Sequence, residues 1–331
     1  MRLLVLGGTV FLSRAVAEHA LGRGHTVICA ARGRSGSPPE GAQFVTIDRD
    51  DPDGLTELAG QEYDAVVDVE SLSVGRVRRA LAALADRAGH WTYVSTASVY
   101  ADNRTPGQRA ATAPILPSAP EGADEDIEQY GNLKVACEEA VRAAVGNQSF
   151  VCRPGLIVGP GDRSDRFGYW PARLAGEGPV LAPGDPGDLV QYVDVRDCAA
   201  WIVDAAEQRL VGTLDAVCPS LSWGDLLHRI GAAIGSNAEL VWVPQSVLEE
   251  HEVAPWAGPD SLPLWVPQPE YAGFGARDVT DSLAAGLQIR PVAETAVATM
   301  EYEREVGLDR DRKAGLRPER ERAVLAAYAG R

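Results

Sequence analysis

The sequence predicts an α/β fold, a doubly wound parallel sheet joined to a smaller mixed C-terminal region. Short apolar runs alternate with helical segments over the first half of the chain. The first run ends in Gly7-Gly8, where a strand would turn into a helix, and after Arg153 the alternation gives way to segments rich in Pro and Gly. Alternating strands and helices are typical of a parallel sheet covered by helices on both faces.

Six apolar runs account for the predicted strands, and each is short and followed by turn residues. They cover residues 2–6, 26–30, 43–47, 65–69, 91–95 and 150–153. Helices are predicted over residues 75–87, 127–145, 195–207 and 223–234. Ligands of such sheets bind at the carboxyl ends of the strands, near the point where the strand order reverses, so functional residues are expected there.

Two stretches lie outside this alternation. The first, from Ala101 to Glu128, has no sustained periodicity and is too long for an ordinary connection, so we interpret it as either a lid or a disordered insertion. The second contains Trp242, Trp256 and Trp265 beside several prolines. These tryptophans indicate either an irregular aromatic wall or ordinary core packing.

Composition and charge restrict the classes of partner. The 331 residues are 45% hydrophobic and 24% charged, which is enough for a substantial core. The formal net charge of -16 repels phosphate backbones, so no nucleic-acid partner is expected. No apolar run approaches the length needed to cross a bilayer, and no membrane partner is expected either.

Cysteine and histidine usage indicates neither disulfides nor metal. The five cysteines are scattered without C-x-x-C pairs, and the five histidines show no ligand spacing. We therefore expect a reduced, cytoplasmic protein without a metal site.

The glycine turn at the end of the first strand is the first candidate binding element. Gly7 and Gly8 allow the backbone to turn sharply, and the helix that follows offers free N–H groups and a partial positive charge, which together suit a pyrophosphate. Tight strand-to-helix turns also need glycine for geometry alone, so the turn by itself is weak evidence.

Tyr130 and Lys134 form the second candidate element, because residues four apart share one face of a helix. A phenol titrates near pH 10 (about) in water and exchanges protons at neutral pH only if a nearby cation stabilises its phenolate. Lys134 is predicted to supply that charge. The Tyr-x-x-x-Lys pattern is common by chance, so its weight depends on the segments around it.

Five segments, in this order, resemble the extended branch of the short-chain dehydrogenase/reductase superfamily, often described as the NAD-dependent epimerase/dehydratase family. They are the glycine turn at Gly7, YVSTASVY (93–100), YGNLK (130–134), RPGLIVGP (153–160) and YVDVRD (192–197). The resemblance implies a Rossmann-like dinucleotide-binding domain over residues 1–160, with a return segment at 190–220. It also implies a mainly substrate-binding region over residues 161–331.

The resemblance implies three catalytic residues. Thr96 would hydrogen-bond the substrate carbonyl, Tyr130 would transfer the proton, and Lys134 would lower the phenol pKa and bind the nicotinamide ribose. Ser95 is the fallback for Thr96. The alternative is that these side chains satisfy ordinary buried hydrogen bonds.

The resemblance also implies a set of cofactor contacts. They are Gly7, Thr9, Val10, Phe11, Leu12, Arg32, Asp48, Lys134 and Pro154. Val10 and Ser13 stand where the family has its second and third glycines, and Ala31 stands where NAD-preferring relatives carry an acidic residue. Because a carboxylate is missing there and Arg32 and Arg34 follow, we expect NADP rather than NAD. A solvated basic loop is the alternative.

On the substrate side, the resemblance implies contacts from Ser98, Arg166, Tyr169 and Trp170, with a surface loop anchored by Trp170 as the alternative. Ala97-Ser98 replace the Asp-Glu pair of the dehydratases, so elimination chemistry lacks its proton-transfer groups. Leu156 stands where epimerases of nucleotide sugars carry an asparagine, which makes such a substrate less favoured.

The leading hypothesis is an NADP-dependent oxidoreductase that acts on the carbonyl or alcohol of a small molecule. One alternative is an NAD(P)-dependent epimerase of a sugar-like substrate. A second alternative is a non-catalytic, cofactor-sensing or RNA-associated protein. The helices at 75–87 and 127–145 match the pair that forms a dimer seam in the resembled family, which implies a homodimer.

Overall fold

A computed structural model describes residues 1–330; residue 331, the last of the predicted substrate-binding region, lies outside them. The strands are β1 (Arg2–Leu6), β2 (Thr26–Ala31), β3 (Gln43–Thr46), β4 (Ala65–Asp68), β5 (Trp91–Val94), β6 (Ser149–Pro154), β7 (Ile157–Val158), β8 (Val180–Pro183), β9 (Leu189–Val190), β10 (Val193–Asp194), β11 (Gly212–Ala216), β12 (Leu221–Ser222), β13 (Leu240–Val243), β14 (Ala254–Trp256) and β15 (Ser261–Pro263).

The α-helices are α1 (Phe11–Gly22), α2 (Thr56–Ala59), α3 (Val74–Leu84), α4 (Tyr130–Val145), α5 (Tyr169–Leu174), α6 (Val195–Gln208), α7 (Trp223–Ile234), α8 (Gln245–Glu250), α9 (Thr280–Ala284), α10 (Val292–Val306) and α11 (Pro318–Ala329). Short 3-10 turns cover Ala85–Arg87, Ala97–Val99, Ile127–Gln129 and Gly146–Gln148. None of these described helices is long and apolar enough to cross a membrane.

A seven-stranded parallel sheet forms the centre of the molecule, with the strand order β11-β6-β5-β4-β1-β2-β3. The order reverses between β1 and β4, because the chain builds one half outward through β2 and β3 and then crosses over to build the other half. The six predicted strands are all present, and the predicted doubly wound α/β fold is confirmed. The seventh strand, β11, falls within residues 190–220.

The continuous apolar runs of the strands reflect burial on both faces of the sheet. In β1, Leu3 and Val5 point into a core shared with α1 and α6, while Leu4 and Leu6 point into a core shared with α3 and α4. All four side chains are at most 1% exposed. The alternation along the strand therefore assigns successive residues to opposite helical layers.

The chain after β7 builds a third apolar core from paired short strands and helices α5, α7 and α10. The rings of Trp170 and Trp223 meet edge to face there at 5.1 Å. Trp265 is buried in this core, and Trp242 packs against it. For these two tryptophans, the core-packing interpretation is confirmed.

The stretch 101–128 is an ordered loop. Its first half bonds back to the chain that precedes it, where Leu116 N donates to Val99 O at 2.8 Å. It also docks on a distant segment, because Gly273 N donates to Asn103 O at 2.8 Å and Gly107 N donates to Ala276 O at 2.7 Å. These backbone partners come from far along the chain, which is why sequence periodicity did not reveal the order.

A network of buried charges joins α4 to the carboxyl ends of the central strands. Glu138 accepts hydrogen bonds from Arg153 at 2.9 and 2.6 Å. Arg153 also donates to the Tyr100 hydroxyl at 3.2 Å, Tyr100 donates to Asp215, and Arg277 donates to Asp215 at 2.7 Å. We call these five residues the buried ion network. Each ion is paired, which offsets the loss of hydration.

We predict that Glu138→Gln destabilises the fold by about 3–5 kcal/mol, because it leaves the Arg153 guanidinium buried without a counter-charge. The measurement is the free energy of unfolding in urea. The matched control is Glu139→Gln on the same helix, whose exposed side chain contacts only Ser118 in the surrounding structure and should change stability by less than about 0.5 kcal/mol. Equal losses in the two variants would contradict the assignment of Glu138 to a buried ion pair.

Candidate active site

A cavity of about 500 Å³ lies at the carboxyl ends of β1, β4, β5 and β6, beside the point where the strand order reverses. This is the position expected for ligands of a doubly wound sheet. Many of the residues singled out in the sequence meet there. Those lining the cavity are Val10, Phe11, Leu12, Thr96, Ser98, Tyr130, Lys134, Pro154 and Arg166.

The glycine turn has the backbone geometry that its sequence requires. Gly7 and Gly8 have φ values of 135° and 86°, and a Cβ on Gly8 would lie 2.4 Å from the Cys29 sulfur. Val10 lines the cavity wall without filling the space, and Ser13 Oγ donates to Val10 O at 2.8 Å, which closes the turn without a third glycine. The turn is therefore intact despite the departures from the family pattern.

The first turn of α1 lines the cavity, and N–H groups in a first helical turn have no intrahelical acceptors. No side chain caps this end of the helix. The residues present thus fit a dinucleotide, since the turn leaves room for a pyrophosphate beside unpaired donors.

Thr96, and not Ser95, is available to a ligand. Ser95 Oγ donates to the buried carboxylate of Glu138, so its hydroxyl is already engaged. Thr96 follows the end of β5, and its hydroxyl faces Ser98, whose Oγ lies 3.2 Å away. The Thr96 hydroxyl also accepts the Ser98 N–H at 3.1 Å. This turn orients the Thr96 oxygen toward the cavity.

Lys134 is buried beneath the cavity floor. Its Nζ donates to Val94 O at 2.6 Å and to Glu70 O at 2.8 Å, and it lies 4.4 Å from the centre of the Tyr93 ring. Burial lowers the pKa of the ammonium to about 8. Because the two carbonyls use two of its three N–H groups, one donor remains for a ligand.

The Tyr130 phenol lies on the same cavity, one helical turn before Lys134. Burial raises the pKa of the phenol above its usual value, while Thr96 and the charge of Arg166 act in the opposite direction. A raised pKa keeps the phenol protonated at neutral pH. Tyr130 is therefore a proton donor in its resting state.

The opposite side of the cavity carries Arg166 and three residues that the sequence interpretation did not assign to the site. Asp162 lies four residues before Arg166 in the same loop, and Trp256 and Phe274 form an edge-to-face pair at 5.2 Å. Trp256 belonged to the predicted aromatic wall, and this one tryptophan does form a wall of the cavity. Phe274 carried no local signal.

Two predicted substrate contacts lie elsewhere. Tyr169 and Trp170 are 3% and 0% exposed in the C-terminal core, where Trp170 Nε1 donates to Pro263 O at 3.0 Å. The ring of Tyr169 lies against Gly315. Large rings in α5 pack inward against α7 and α10, so these two side chains do not reach the cavity.

Four predicted cofactor contacts lie outside the cavity walls. Gly7 and Thr9 belong to the backbone of the glycine turn. Arg32 is an exposed residue after β2, and its charge acts on the carboxylate of Asp50. Asp48 accepts the Asp50 N–H at 3.0 Å and so has the turn role that was the alternative for it.

Comparison with known proteins identifies the family. The family model described as "NAD dependent epimerase/dehydratase family" matches residues 3–213. The chain belongs to this family. It is accordingly an NAD(P)-dependent enzyme of the oxidoreductase and epimerase type, and the resemblance drawn from five sequence segments is confirmed.

Two curated relatives of this epimerase/dehydratase chain are reductases or dehydrogenases. The 2'-dehydrokanamycin reductase of Streptomyces kanamyceticus is 29% identical over 256 residues, covering 74% of this chain and 70% of that protein. The dTDP-6-deoxy-L-talose 4-dehydrogenase (NAD(P)(+)) of Kitasatospora kifunensis is 31% identical over 235 residues, covering 63% of this chain and 70% of that protein.

Solved structures share the fold. The enzyme WbmH of Bordetella bronchiseptica, in complex with NAD+, has a TM-score of 0.66 at 18% identity and covers 92% of this chain and 99% of its own. The UDP-glucuronic acid 4-epimerase of Bacillus cereus, in complex with NAD, has a TM-score of 0.66 at 16% identity and covers 94% of this chain and 100% of its own.

The lowered pKa of Lys134 predicts a pH dependence of cofactor affinity. Because the ammonium is present below its pKa of about 8 and is lost as the pH rises through that value, a ligand that accepts its hydrogen bond binds best at low pH. We expect NADPH affinity to fall about tenfold between about pH 7 and about pH 9. Nicotinamide fluorescence titrations measure it.

Lys134→Met is the control for this prediction. It should bind NADPH more weakly than the wild type at neutral pH, with little further change as the pH rises. A wild-type affinity that stays constant over this range would exclude a hydrogen bond from the Lys134 ammonium to the cofactor.

Proposed function

We propose that the protein is an NADP-dependent oxidoreductase that transfers hydride to or from the carbonyl or alcohol carbon of a small molecule. The observation that carries this proposal is the meeting of Thr96, Tyr130 and Lys134 with the glycine turn around one cavity. These elements come from three separate places in the chain. Together they supply a carbonyl donor, a proton donor, a cation and a pyrophosphate site.

The glycine turn and the first turn of α1 hold the pyrophosphate, and Lys134 holds the nicotinamide ribose through its remaining N–H group. When bound, the cofactor supplies or accepts the hydride. Pro154, at the end of β6, forms the apolar wall of the cavity on the side away from Tyr130's helix. This wall keeps water from the reacting carbon.

Proton transfer falls to Tyr130 and Thr96. In the reducing direction, the Thr96 hydroxyl donates a hydrogen bond to the substrate carbonyl oxygen, and the Tyr130 phenol gives its proton to the same oxygen as negative charge develops there. In the oxidising direction, the phenolate takes the proton from the alcohol. Ser98, which faces Thr96, contacts the substrate beside that oxygen.

The preference for NADP rests on the end of β2. Ala31 offers no carboxylate to repel a 2'-phosphate, and Arg32 and Arg34 are exposed beside it. A guanidinium pairs with a phosphate in a bidentate geometry that a ribose hydroxyl does not offer. These arginines therefore select the phosphorylated cofactor.

The substrate is a small, polar molecule with an exposed carbonyl or carbinol carbon, and a sugar-like ring suits the site. Arg166 and Ser98 offer donors to its oxygen atoms, while Trp256 and Phe274 offer apolar ring faces to its C–H groups. The relative from Streptomyces kanamyceticus bears the name of a reductase for a dehydrokanamycin, which supports this class.

The proposal extends to the cell. The five cysteines are free and buried, as suits the reducing cytoplasm. A homodimer through the outer faces of α3 and α4 completes the proposal, because both helices lie side by side on one face of the sheet.

We expect Tyr130→Phe to lower turnover by about 100-fold or more while leaving NADPH affinity unchanged, because the phenol acts only in proton transfer. Turnover is followed by NADPH absorbance with a panel of cyclic ketones and keto-sugars. Tyr169→Phe is the matched control, since the Tyr169 ring is buried away from the cavity. Retained turnover in Tyr130→Phe would reject the proposal, and epimerised substrate without net NADPH consumption would assign the chain to the epimerases.

We expect Arg32→Ala to weaken NADPH binding by about tenfold or more and to leave NADH binding almost unchanged, because only NADPH carries the 2'-phosphate. Fluorescence titration with each cofactor measures both affinities. Arg78→Ala on the exposed side of α3 is the control and should alter neither affinity. A wild-type protein that binds NADH more tightly than NADPH would contradict the assignment of NADP.

A further inference from the structure

The inference concerns which cation acts on Tyr130, and it rests on the proposed role of Tyr130 as the proton donor. The sequence interpretation gave this task to Lys134. In the structure, two of the three ammonium N–H groups of Lys134 are held by Val94 O and Glu70 O, and the ring of Tyr93 flanks the nitrogen. Lys134 is thus committed to the floor of the cavity.

Arg166 approaches Tyr130 from the other side of the cavity. Both residues line it, and Arg166 Cζ lies 5.0 Å from the centre of the Trp256 ring, which supports the guanidinium from one face. Its Nε donates to Ser164 Oγ at 3.1 Å. Among the described residues, no acceptor takes a hydrogen bond from its two terminal nitrogens, so these donors are free toward the cavity.

The loop that carries Arg166 is held rigidly from behind. Asp165, its neighbour, accepts the Lys313 N–H at 2.7 Å and pairs with Arg310. Glu303 of α10 in turn accepts hydrogen bonds from Arg310 at 3.0 Å and from Arg312 at 2.7 Å. The C-terminal segment therefore fixes the position of Arg166, which preorganises the charge that faces the phenol.

Other charged and titratable groups near Tyr130 do not supply this charge. Asp162, in the same loop as Arg166, already receives the Ser164 N–H at 2.8 Å and the Ser164 hydroxyl at 2.9 Å. Tyr93, on β5, is a buried phenol whose pKa lies well above its usual value because of burial, so it stays neutral. Lys134 is engaged as described above.

We propose that Arg166 is the positioning residue whose fixed positive charge stabilises the phenolate of Tyr130, while Lys134 serves the cofactor. The charge lowers the free energy of the phenolate and hence favours release of the proton to the substrate oxygen. Since guanidinium stays charged at every pH of interest, this arrangement works on both sides of the Lys134 pKa.

The test is a titration of the Tyr130 phenol in the full-length protein, with neither cofactor nor substrate. Tyrosine labelled with carbon-13 at Cζ reports the ionisation of each phenol by NMR, and Tyr130→Phe assigns the resonance. We compare Arg166→Met, Arg166→Gln and Arg166→Lys with Arg163→Met, a control that removes an exposed arginine from the same loop. Lys134→Met tests the competing cation. Circular dichroism at each pH checks that each variant is folded.

We expect Arg166→Met and Arg166→Gln to raise the Tyr130 pKa by about one unit or more. Arg166→Lys should restore most of the wild-type value, Arg163→Met should not change it, and Lys134→Met should change it less than Arg166→Met does. The inference is overturned if Arg166→Met leaves the pKa unchanged, if the phenol stays protonated alike in wild type and variant, or if Lys134→Met has the larger effect.

This titration separates the inference from the proposed function. A Tyr130 pKa that depends on Arg166 in a protein without turnover would overturn the proposed function alone. Turnover that requires Tyr130, in a protein whose Tyr130 pKa ignores Arg166, would overturn this inference alone.

Discussion

The burial of one carboxylate, Glu138, holds the candidate site together. Glu138 lies on α4 two turns after Tyr130 and one turn after Lys134, so the three share a helix face. Its side chain is inaccessible to solvent and is bound by Arg153 from the end of β6 and by Ser95 beside Thr96. Because an unpaired ion is not tolerated there, the helix keeps one position against the strand ends. That position sets Tyr130 and Lys134 opposite Thr96.

The same network reaches beyond the strand ends to the far wall of the cavity. Arg153 and Arg277 meet around Tyr100 and Asp215, and the Arg277 guanidinium stacks 3.4 Å from the centre of the Tyr100 ring. Arg277 lies three residues after Phe274, which lines the cavity. A change in the catalytic helix is therefore transmitted through paired charges to the loop that covers the substrate side. Rigid placement of both walls suits a reaction that depends on alignment of donor and acceptor atoms.

The charges of the site are divided between two cations with different surroundings. Lys134 lies beneath the cavity, and burial brings its pKa to about 8, so its donor is sensitive to pH. Arg166 lies across the cavity, supported by Trp256 and by a loop anchored to the C-terminal segment. The N-terminal half of the chain thus supplies the binding of a dinucleotide. Residues after the end of the matched family region supply the walls and anchors that shape the substrate side.

The sequence by itself determined the sheet, the glycine turn and the pairing of Tyr130 with Lys134, because these depend on local periodicity and on residues within one helix or turn. It also brought Thr96 into the site through its place after a buried strand. Only the tertiary structure decided that Ser95 is engaged by Glu138, that Tyr169 and Trp170 pack into a core, and that Phe274 reaches the cavity. The reason is physical: these outcomes depend on contacts between segments far apart in the chain, whose partners leave no period or spacing in the sequence.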